Sequence, residues 1–127
     1  MIVKKIHEPI LFVDVLFLTD CKPKEVEEYA VKNNINGLPD CYHLQGFVDT
    51  MERKLKGGEK EISYIVWIEN KNGFYTLIHE IVHLITRIFT DRSIPISKGN
   101  DEIFAYYQNW WFKKLWRIMN QKTNEGR

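Results

Sequence analysis

Between Phe74 and Thr90 the chain runs FYTLIHEIVHLITRIFT, a strongly helical segment whose polarity is confined to one stripe. On a helical wheel Thr76, His79, Glu80, His83 and Arg87 share one side. Leu77, Ile78, Ile81, Val82, Leu84, Ile85, Ile88 and Phe89 cover the rest. A helix apolar on most sides belongs in a core, and a polar stripe carried there must be satisfied by something. Asp91-Arg92-Ser93-Ile94-Pro95 stops the run, because the residue before a proline avoids helical geometry.

The remaining sequence supplies a small sheet and two more helices. Ile10 to Leu18 is a β-branched and aromatic run that reads as a buried strand. A helix follows from near Lys22, with Pro23 in its first turn, to the breaker cluster that begins at Asn33 and ends at Gly37. Gln45–Leu55 and Ile62–Ile68 are strands joined by Lys56-Gly57-Gly58-Glu59, which predicts a hairpin. A second long helix spans about Asn100 to Asn120, and Gln121–Arg127 is a polar, frayed tail. Strands near 10–18, 45–55 and 62–68 with helices at 74–90 and 100–120 imply an α+β domain. A length of 127 residues allows one such domain, spanning 1–127.

Charge and cysteine usage narrow the class. With 18 Lys+Arg against 17 Asp+Glu, net +1, the chain is neither a strongly basic nucleic-acid binder nor an acidic disordered one. No run approaches the roughly 18 apolar residues that a membrane helix needs. The N-terminal lysines and apolar run resemble an export signal, but Glu8, Pro9 and Asp14 interrupt it, which favours a strand. Cys21 and Cys41 fall in no paired pattern and fit a reducing cytoplasm as buried thiols. His7 and His43 have no ligand partner at useful spacing.

His79-Glu80-Ile81-Val82-His83 is an HExxH motif. Residues i and i+4 share a helix face, so both imidazoles can reach one ion. Zinc takes neutral imidazole nitrogens, and a catalytic site keeps one position open for water. Glu80, beside the first ligand, is placed to accept a proton from that water and pass it to a leaving amine. The plain alternative is that the three side chains bond to neighbours or face water. A third ligand is needed for a zinc site. Glu102, opening the next helix, is the first candidate and Asp101 the adjacent rival, although acids there also complement the helix dipole.

His79-Glu80-x-x-His83 followed by Glu102 resembles the gluzincin pattern of zinc metallopeptidases. The short chain, with Asn100-Asp101-Glu102-Ile103-Phe104-Ala105-Tyr106-Tyr107, is similar to small peptidases encoded by phages and mobile elements. The likeness covers roughly residues 60–107. It implies a zincin-like fold, His79, His83 and Glu102 as zinc ligands, and Glu80 as general base and acid. It also implies that Ile62–Ile68 is the edge strand on which an extended peptide lies, with Tyr64, Val66 and Trp67 contacting it. Asp101 and Tyr106 would stand behind the ligands. Thr86 excludes the metzincin HExxHxxG turn, and no Tyr or His between Leu84 and Asp101 supplies an oxyanion partner.

The last helix carries a second theme. Phe104, Tyr107, Trp111, Leu115 and Met119 form one apolar stripe, while Trp110, Lys113, Lys114 and Arg117 occupy another sector. Residues 104–127 hold five Lys and Arg and one Glu, leaving the rest of the chain at −3. A core-facing helix with solvated cations explains this most simply, and the surplus aromatics suit a homodimer or protein partner. The leading expectation is a zinc-dependent peptidase acting on peptide or protein. The alternatives are a zincin-like binding module without turnover and an interaction domain, nucleic acid being the less expected partner.

Overall fold

The structure, a computed structural model, describes residues 1–54 and 56–121. Residue 55, the end of one expected strand, and 122–127 of the expected tail lie outside the described residues. The fold is α+β: β1 (Ile2–Glu8), β2 (Val13–Thr19), α1 (Pro23–Lys32), β3 (Gly46–Lys54), β4 (Lys60–Ile68), α2 (Phe74–Asp91) and α3 (Asp101–Met119). One mixed sheet has the order β1-β2-β4-β3. β1 is antiparallel to β2, β2 parallel to β4, and β3 antiparallel to β4.

The N-terminal expectation needs correction, because a hairpin replaces the single strand at 10–18. The turn between β1 and β2 occupies residues 9–12. Pro9 cannot donate to a ladder, and the fully buried Glu8 carboxylate organises the turn by accepting the N–H groups of Ile10 and Leu11. The Tyr107 hydroxyl also donates to Glu8, at 2.7 Å, which ties this turn to α3. One buried acid with its partners in place thus joins the hairpin turn to α3.

The sheet is covered on both faces, and this is why ISYIVWI reads as a nearly continuous apolar run. Val15, Phe17, Val48, Tyr64, Val66 and Ile68 face α2 and α3. Leu16, Leu18, Phe47, Ile65 and Trp67 face α1, which contributes Val26 and Ala30 from successive turns. The Trp67 indole donates to the Cys21 carbonyl at 3.1 Å, fixing the start of α1 over the sheet. Cys21 and Cys41 are buried free thiols, and burial pushes the Cys21 thiol from 9.0 up to about 11.

The helices α2 and α3 run antiparallel. Phe89 meets Phe104 edge-on at 5.7 Å at one end, and Phe74 meets Phe112 and Trp116 at 5.5 and 5.4 Å at the other. The predicted α3 stripe holds, with Tyr107, Trp111, Leu115 and Met119 buried and Phe104 packed against them. Among the described residues no helix is long and apolar enough to cross a membrane.

Candidate metal centre

The polar stripe of α2 does not lie inside the core, as its apolar surroundings suggested. It divides. Glu80 is 7% exposed, whereas His79 and His83 face outward beside Val82, itself 40% exposed. The core side of the helix is Leu77, Ile81, Leu84, Ile85 and Ile88, so the imidazoles emerge on the opposite side.

The two rings converge. Their Nε2 atoms are 3.1 Å apart, with the ring planes inclined at 74°. Two nitrogens bound tetrahedrally to zinc at ~2.0–2.1 Å are separated by about 3.3–3.4 Å, so the pair is set at chelating distance. The same spacing suits an N–H···N hydrogen bond between neutral rings. Each of the three side chains offers a ligand atom within 4.8 Å of the other two, and His79, Glu80 and His83 form the one such group among the described residues. These residues fit a borderline-soft divalent cation, and the donor set of two imidazoles and a carboxylate is one zinc accepts.

Glu80 is held by the sheet edge. A β-carbon on Gly46 would lie 3.2 Å from the Glu80 Cγ, 3.0 Å from the Thr76 Cγ2 and 2.7 Å from the Trp67 carbonyl oxygen. Glycine at this point of β3 is what lets α2 lie so close. Thr76 Oγ1 donates to Gln45 Oε1 at 3.4 Å, a second link between helix and strand. Burial raises the Glu80 carboxyl above its usual range, opposed by the imidazoles and by Arg87. Arg87 Nη1 is 3.6 Å from Asp49 Oδ1 on β3.

Three of the expected residues are elsewhere. Glu102 is exposed in the first turn of α3 and is not in the His79/Glu80/His83 group, and neither is Asp101. The reason is the flank on which α3 docks. It packs against Phe74 and Phe89, whereas Thr76, Glu80 and Arg87 lean toward β3 on the other flank. Tyr106 is 70% exposed on α3 and also lies on the far helix.

The proposed peptide-binding strand is likewise corrected. β4 is flanked by β2 and β3, and Tyr64, Val66 and Trp67 are buried at 3%, 0% and 0% exposure. Tyr64 instead donates to Asp91 at 2.5 Å and braces the end of α2. Among the described residues, the free edge beside the candidate centre belongs to β3. Glu69 N–H donates to the Gln45 carbonyl, so the antiparallel alternation turns the backbone groups of Gly46, Val48 and Thr50 outward.

Gly46, Asp49 and Arg87 come to the site only in the folded chain. A lone glycine inside a strand pattern signals close backbone approach, and that cue was available for Gly46. The Asp49–Arg87 contact has no local signature. Comparison with known proteins returns no matching family model, no similar curated protein and no similar solved structure.

Proposed function

We propose that the chain is a zinc-dependent hydrolase acting on peptide bonds, built on a gluzincin-like HExxH helix whose two imidazoles hold the ion without Glu102. The observation that carries this reading is the pair of imidazole nitrogens 3.1 Å apart with a buried carboxylate beside them. Zinc bound there supplies Lewis acidity and an activated water. His79 and His83 hold the ion from the exposed side of α2. Glu80, buried beside the two imidazoles, accepts and returns a proton at its carboxylate. The outward backbone groups of Gly46 and Val48 pair with an extended substrate along β3, the free edge next to Glu80.

A ligand set of two imidazoles also suits the second reading, a metal-binding module without turnover, since Glu102 is not grouped with the pair. One experiment separates the two. Zinc-loaded protein and its Glu80→Gln variant are assayed on a mixed peptide library. The hydrolase reading predicts cleavage by the first and none by the second, with zinc retained in both. No cleavage by either leaves the binding module, and loss of zinc from the variant makes Glu80 a ligand.

A further inference from the structure

We infer that Arg87 is the specificity-determining residue of this site and takes a carboxylate of the substrate next to the bond to be cut. The inference rests on the hydrolase reading above for the word substrate, but the carboxylate site itself rests on geometry. Arg87 lies four residues after His83, one turn along α2, and on the same side of the helix as Glu80. Its guanidinium is half exposed, so it is open to a ligand.

Asp49 stands in for that ligand. Val48 faces α2 and Phe47 faces α1, so Asp49 starts from the α1 face. Its carboxylate nevertheless meets Arg87, which belongs to the opposite layer, so the pair spans the free edge of β3. Asp49 Oδ1 also accepts the Thr50 N–H at 2.8 Å, one of the outward groups of that edge. At 3.6 Å the Arg87–Asp49 contact is an ion pair longer than a hydrogen bond, and a guanidinium has five N–H donors in a fork matched to carboxylates. Asp49 satisfies the charge of Arg87 but not its fork.

The edge is therefore open at Gly46 and Val48 and closed at Thr50. What reaches Arg87 is a group that ends there, either a chain terminus or an acidic side chain. Both present the same chemistry, a carboxylate that can bind bidentately where Asp49 does not.

The test measures binding of acetylated tripeptides to zinc-loaded Glu80→Gln protein, followed by the intrinsic tryptophan signal. Acetyl-Ala-Ala-Ala as free acid is compared with its amide, and acetyl-Ala-Glu-Ala amide with acetyl-Ala-Gln-Ala amide. We expect at least one carboxylate form to bind about tenfold more tightly than its neutral counterpart. The first pair reports a terminal carboxylate and the second a side-chain one. Adding Arg87→Gln should abolish the difference and Arg87→Lys should keep part of it, while Asp49→Asn should tighten the favoured peptide. Equal binding of charged and neutral peptides overturns the inference, as does a preference that survives Arg87→Gln or no binding at all. Cleavage of neutral and acidic peptides alike by protein with Glu80 intact would remove the specificity and leave the hydrolase. Carboxylate-dependent binding without any cleavage would do the reverse.

Discussion

Single atoms decide much of this site. Gly46 is the clearest case, because its missing side chain is the space into which α2 settles. Gly46→Ala is expected to destabilise the protein by about 1–3 kcal/mol, measured by urea unfolding, since the nearest obstruction is backbone and not a mobile side-chain end. Cys21 gives a second residue-level expectation. Its thiol keeps its proton in the fold up to about 11, against 9.0 unperturbed. Over that window the native state binds more protons than the unfolded chain, so the stability present below 9.0 is lost as pH rises. The urea midpoint should fall more steeply between about pH 8.5 and about pH 10.5 in the wild type than in Cys21→Ala. Equal slopes would show that the thiol ionises as freely in the fold as out of it.

At the level of elements, the sequence was informative where a pattern was local. The α2 periodicity, the α3 stripe of Tyr107, Trp111, Leu115 and Met119, and the β3–β4 hairpin all follow from residues close in sequence. The β1 strand was hidden because it is a charged edge, with Lys4, Lys5 and His7 outward and only Ile6 and Glu8 buried. Which strand lies at an edge, and on which flank of α2 the last helix docks, depend on how distant pieces assemble, and no local spacing encodes that. For the same reason the HExxH spacing was legible and the separation of Glu102 from it was not. Glu102→Gln is accordingly expected to leave zinc affinity unchanged in a competition assay against a chelating dye. His79→Ala should abolish binding in the same assay. A loss caused by Glu102→Gln would mean that the first turn of α3 reaches the imidazole pair after all.

For the molecule as a whole, the described residues build one sheet with helices on both faces, leaving the candidate centre on an outer surface of α2. Two exposed imidazoles, a buried acid and a nearby free edge make an open site. An ion held by so few protein donors should exchange readily and be removed by mild chelation. The near-zero net charge also resolves by region, since residues 104–127 carry net +4 and the rest of the chain, with the proposed centre, carries −3. The most direct test of the central claim is a calorimetric titration of zinc into metal-free protein at neutral pH, beside the same titration of His83→Ala. The account predicts one zinc per wild-type chain and none for the variant. No binding by the wild type, or equal binding by both, would contradict it.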